Sequence, residues 1–133
     1  MKIAKILTVI LSTLIAAIST TRAADINILL AKTLTAPDNQ VVKMLTVTLA
    51  PGEATLPHRH NAYTLVYMLQ GTLNMQLKGS RLVVLKPGQT FYESPQDIHL
   101  VSRNPSKTEP AKILVVFVKQ SHTPDLIPLS HKN

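Results

Sequence analysis

The stretch "LPHRHNAYTLVYMLQG", Leu56 to Gly71, decides how the chain is read. Two histidines flank Arg59, and most of the residues from Tyr63 onward are apolar, β-branched or aromatic. Residues two apart on an extended segment share a face, so His58 and His60 point one way and Arg59 the other. Neutral imidazole is the commonest protein ligand for transition metals, and two on one strand make half a site. Periodicity alone is equally satisfied by a pair of exposed strand residues. A third ligand would come from a distant strand, and His99, inside "DIHLVS", is the only other histidine in a strand-like run. His122 and His131 lie in a polar tail, where a solvated histidine is expected.

Outward from this stretch, short apolar runs alternate with Pro, Gly, Asn and Ser, and no apolar pattern of helical period follows residue 24. That argues for an all-β sandwich or barrel. Strands are expected at Val41–Leu49, Tyr63–Leu69, Thr72–Lys78, Arg81–Leu85, Thr90–Tyr92, Ile98–Ser102 and Lys112–Val118. Pro51-Gly52 and Pro87-Gly88 mark turns, and Gly79-Ser80 suggests a tight hairpin with Gly at its first turn position. Counting from His60, Thr64, Val66 and Met68 should face inward, and Tyr63, Leu65 and Tyr67 outward. The tail from Ser121 to Asn133 is broken by prolines and reads as irregular, although Leu126, Ile127 and Leu129 are placed to dock on the barrel or on a second subunit.

The first residues belong to a different problem. Lys2 and Lys5, the uncharged run Ile6 to Ile18 and a small residue at the end of "TTRA" read as a secretory signal peptide over residues 1–23, cleaved near Ala23. The run is too short for a bilayer span, which needs ~20 apolar residues, so no stable membrane anchor is expected after cleavage. No Arg-Arg pair precedes it, which disfavours a twin-arginine route and favours folding outside the cytoplasm, in the periplasm or secreted medium. Residues 24–133 are enough for a single domain with one modest core. With no cysteine in the chain, thiol chemistry and disulfides are excluded. The net charge of +7 falls to +4 once Lys2, Lys5 and Arg22 leave, and the remaining lysines are scattered, without the aromatic interleaving of a nucleic-acid surface. No serine nucleophile elbow, phosphate loop or dinucleotide fingerprint is present.

"GEATLPHRHNAYTLVYMLQG" resembles the first motif of the cupin superfamily: Gly, five residues, His-x-His, three residues, Glu, six residues, Gly. Gly52, His58, His60 and Gly71 match, and Thr64 stands where the glutamate would be. "GQTFYESPQDIHLVSRN" is similar to the second motif, with Gly88 and His99 in register, Ser94 and Gln96 at the Pro and Gly positions, and Asn104 one residue late. The resemblance implies a jelly-roll β-barrel of six to eight strands, often a homodimer. It also implies a divalent metal held at the barrel mouth by His58, His60 and His99, with the carboxylate ligand missing.

A hydroxyl such as Thr64 binds first-row metals far more weakly than a carboxylate. A three-histidine centre resembles that of the cysteine dioxygenase branch of cupins, where iron is bound and the substrate supplies further ligands, and it equally suits zinc. Iron, zinc, manganese, copper and nickel all accept such donors. Glu93 and Tyr92 are candidate catalytic or orienting groups, Glu93 as a hydrogen-bond partner or general base, and Gln76 is a candidate substrate contact. The expected function is small-molecule chemistry of dioxygenase type. The alternatives are a non-catalytic cupin that binds or senses a small ligand or metal, and a structural dimer with vestigial histidines.

Overall fold

A computed structural model of the chain describes residues 24–33 and 39–129. The expected signal peptide and His131 lie outside these residues. Among the described residues ten strands form: β1 (Asp25–Thr33), β2 (Gln40–Leu49), β3 (His58–Arg59), β4 (Tyr63–Gln70), β5 (Leu73–Leu77), β6 (Val83–Leu85), β7 (Thr90–Glu93), β8 (His99–Arg103), β9 (Ala111–Gln120) and β10 (Ile127–Pro128). They pair antiparallel in two five-stranded sheets, ordered β1-β2-β9-β4-β7 and β10-β3-β8-β5-β6. This is an all-β jelly roll, larger than the six to eight strands expected because β1 and β10 add one strand to an edge of each sheet.

Alternation builds the core. Along β4, Thr64, Val66 and Met68 are buried while Tyr63, Leu65 and Tyr67 are exposed, as parity from His60 requires. Along β9, Ala111, Ile113, Val115 and Phe117 face inward. Leu45, Leu49, Leu73, Met75 and Leu85 from β2, β5 and β6, with Ala62 just before β4, complete the buried cluster. Between the sheets the side chains leave a cavity of about 300 Å³.

Four local features depart from the expected pattern. The segment Asp25–Thr33 pairs along β2, from Asp25 opposite Thr48 to Thr33 opposite Val41. Residues 25–29, Ile26, Ile28 and Leu29 among them, are all exposed, so this half of the strand carries no buried-exposed alternation by which to recognise it. The β5-β6 hairpin is wider than a two-residue turn: Met75 pairs with Val83, and Gly79 is the third residue of a turn closed by Ser80 N–H donating to Leu77 O at 3.0 Å. The tail is ordered where Ile127 pairs with Arg59 and Pro128 with His58. Backbone pairing to the short strand β3 orders what prolines alone would leave irregular.

The fourth is a bulge in β8. Gln76 pairs with Val101 but Leu77 with His99, so Leu100 is an extra residue on β8. The insertion keeps both His99 and Ser102 inward, three residues apart. It also explains why Asn104 arrives one residue late yet still points in, fully buried. Its Nδ2 donates to the carbonyls of Leu49, Ala50 and Glu109, and its Oδ1 accepts from Ser106 N–H.

Candidate metal centre

His58 sits on β3 opposite His99 on β8, which brings together residues 41 positions apart in the chain. His60 follows β3, and Asn61 turns the chain with φ of 49° before β4 begins. One donor atom from each of the three histidines lies within 4.8 Å of the others. His58 and His99 are buried and His60 is nearly so, and the His58 ring centroid is 4.8 Å from that of His60 and 5.1 Å from that of His99.

Hydrogen bonding orients two of the rings. A carbonyl only accepts, so His58 Nδ1–H donates to Leu56 O at 2.7 Å, and His60 Nδ1–H donates to Asp125 O. Both Nε2 atoms are thereby left as acceptors with a lone pair for a metal. Among the described residues neither ring nitrogen of His99 has a hydrogen-bond partner, although both are buried. A buried, unpartnered imidazole costs free energy unless something binds it, and a divalent cation fits that need.

Burial sets the electrostatics. Desolvation lowers the pKa of all three histidines, and the neighbouring His58 and His60 help to push His99 down to about 4. At neutral pH the rings are therefore uncharged, the form that binds metal. Burial, with repulsion from Asp97, pushes the Glu93 carboxyl up to about 7. Its contacts at 3.4 Å to His99 Nδ1 and 3.9 Å to His60 Nε2 are thus not ion pairs between charged groups.

The other expected residues separate cleanly. Thr64 is buried beside the histidines and lines the cavity with them, as does Glu93. Tyr92 is 54% exposed on the outer face, because it alternates with the inward Glu93, and it does not line the cavity. Gln76 donates to Ser80 O at 3.0 Å and serves the hairpin instead. Ser94, at the Pro position of the second motif, starts a turn that Asp97 closes: Asp97 Oδ2 accepts from Ser94 N–H at 2.7 Å, and Asp97 N–H donates to Ser94 O.

Asp125 went unnoticed in the sequence. It bridges the buried Lys119, at 3.2 Å, and Lys43, and both Asp125 and Leu126 line the cavity. Burial alone would raise the Asp125 carboxyl, but hydrogen bonds from the two lysines outweigh it and hold the pKa below its usual value. The available signal was Lys119 itself: it continues the inward parity of Ile113, Val115 and Phe117, and an inward lysine needs a partner.

The comparisons agree with this architecture. The family model described as "Cupin domain" matches residues 45–117, more than half of the 133. The chain belongs to the cupin family. No curated protein matches it significantly. Among solved structures this cupin is similar to a cupin 2 domain-containing protein from Halorhodospira halophila, at 20% identity and TM-score 0.64, covering 81% of this chain and 71% of that one. It is also similar to the DMSP lyase DddQ from Ruegeria pomeroyi DSS-3, at 18% identity and TM-score 0.61, covering 69% of this chain but only 45% of the lyase. An oxalate oxidase in complex with glycolate matches at 24% identity and TM-score 0.55, over 70% of this chain and 56% of the oxidase. At these identities the likeness concerns the fold.

Proposed function

We propose that this cupin is an exported, metal-dependent enzyme that acts on a small, largely apolar molecule, with oxygenation as the reaction class. The observation that carries the reading is the convergence of three uncharged histidines, one without a hydrogen-bond partner among the described residues, on the wall of an apolar cavity. Leu45, Val47, Leu49, Val66, Val115 and Phe117 supply most of that wall. A volume of about 300 Å³ is at the small end of ligand pockets. His58, His60 and His99 would hold the cation, and the apolar wall would exclude water around a bound substrate and orient it. The bound metal would supply Lewis acidity or redox chemistry.

Export is supported by the basic start, apolar run and small-residue end of residues 1–23. The homodimer is supported by the outer face of β4 and β7, where Tyr63, Leu65, Tyr67, Leu69 and Tyr92 are all exposed, an apolar patch of the kind that marks interfaces. Sedimentation of the protein beside Leu65→Glu tests it: a monomeric protein overturns the dimer.

Metal analysis of protein isolated from its own compartment, beside His58→Ala, tests the centre. Stoichiometric metal that disappears in the variant supports it, whereas less than about a tenth of an equivalent in both overturns it. Oxygen uptake by the ferrous form with thiols, diketones and flavonols tests the chemistry. No uptake with any of them assigns the barrel to ligand or metal binding instead.

A further inference from the structure

In the motif this chain resembles, the carboxylate comes from the position occupied by Thr64. Thr64 is 1% exposed, and its Oγ1 turns back to donate to Ala62 O at 3.4 Å. Its partner across the β4-β7 ladder is Glu93. Paired residues of adjacent antiparallel strands project from the same face with Cβ atoms about 5 Å apart. A longer side chain rooted at Glu93 can therefore reach the region where a carboxylate at residue 64 would lie.

The distances support this use. Glu93 is 2% exposed, and its Oε2 lies 3.4 Å from His99 Nδ1 and 3.9 Å from His60 Nε2. Both separations exceed the ~2.7–2.9 Å of a charge-assisted hydrogen bond. Two ligands ~2.1 Å from one ion stand about 3.4 Å apart at the tetrahedral angle and at most about 4.2 Å apart, so the first separation matches a shared cation and the second lies within its reach. Among the described residues the nitrogens that Oε2 faces have no hydrogen-bond partner: His60 is bonded through its other nitrogen, and His99 through neither.

We propose that Glu93 is the fourth protein ligand of the metal centre, its carboxylate supplied from β7 across the strand pair instead of from Thr64 on β4. The centre then carries three neutral donors and one anion. A divalent ion keeps a residual charge of +1, and there is one fewer open position than a three-histidine site would leave. That charge suits a neutral or monoanionic substrate and removes the need for a dianionic chelator to complete the sphere. The inference rests on the metal-binding reading above.

The test is titration of zinc and cobalt(II) into the metal-free mature chain, comparing the wild type with Glu93→Gln and with the exchange variant Thr64→Glu/Glu93→Gln. Glu93→Gln should weaken zinc binding by about 100-fold or more and shift the visible bands of bound cobalt, beyond the 10–100-fold that loss of an orienting hydrogen bond causes. The exchange variant should regain affinity to within about tenfold of the wild type. Unchanged cobalt bands in Glu93→Gln, whatever the affinity, would overturn the ligand role. So would an exchange variant that melts as a folded protein yet recovers nothing. A wild type that binds neither ion overturns the metal reading itself, so the two failures are distinguishable.

Discussion

His60 Nδ1–H donates to the backbone carbonyl of Asp125, 65 residues further along the chain. The tail thereby sets the tautomer of a histidine of the candidate centre, and its Asp125 and Leu126 line the same cavity. Asp125 is itself held by Lys43 and Lys119. Asp125→Ala should destabilise the fold by about 1–2 kcal/mol, less than a fully buried pair because the Asp125 side chain is 35% exposed. It should also speed metal release, because the carbonyl to which His60 donates is no longer held in place by the two lysines. Urea unfolding and the rate of zinc transfer to a chelator check the two effects, and unchanged transfer would separate the tail from the site.

The pH dependence of metal-free stability follows from Glu93 and His99. Burial raises Glu93 from 4.5 to about 7, so its stabilising contribution is complete below pH 4.5 and is lost as the pH rises through 7. Burial lowers His99 from 6.5 to about 4, so its contribution is complete above pH 6.5 and is lost as the pH falls through 4. The two slopes oppose each other between these values. Removing the carboxylate in Glu93→Gln should leave stability rising with pH from 4 to 6.5 and make the metal-free protein more stable than wild type at pH 8, by on the order of 2–3 kcal/mol. Denaturant melts at pH 4.5, 6.5 and 8 measure it. Glu93→Gln being no more stable at pH 8 would show that the carboxylate is not paying a burial penalty.

Two glycines separate backbone conformation from packing. Gly52 and Gly71 both have positive φ, 75° and 77°. A Cβ on Gly52 meets nothing within 4 Å among the described residues, whereas one on Gly71 would lie 2.4 Å from Pro110 O. Gly52→Ala should cost about 1 kcal/mol for the left-handed conformation alone. Gly71→Ala should cost ~3 kcal/mol or more, because a backbone carbonyl cannot swing aside as a side chain would. Thermal melts of both variants test the difference.

Asn104 acts as a donor to three backbone carbonyls from inside the fold. Asn104→Ala should cost about 2–3 kcal/mol for the unpaired groups it leaves. Asn104→Asp has the same shape but turns an acceptor toward those carbonyls, so at pH 7 it should be the more damaging of the two. Chemical denaturation ranks them, and equal losses would mean that shape matters here more than hydrogen bonding.

What the sequence determined by itself was whatever follows from local periodicity and spacing. The inward parity of Thr64, Val66 and Met68, the outward Tyr63, Leu65 and Tyr67, and seven of the ten strands among the described residues are of that kind, because a two-residue repeat records which face is buried. The grouping of His58 and His60 with His99 was legible only through the spacing of two recognisable motifs. Tertiary structure alone decided the rest. The pairing of Thr64 with Glu93 depends on the register between β4 and β7, and no property of either segment specifies it. The contact of Asp125 with His60 depends on where the tail docks. At the opening stretch, then, Thr64 read as a lost carboxylate, and the fold places one opposite it on the next strand.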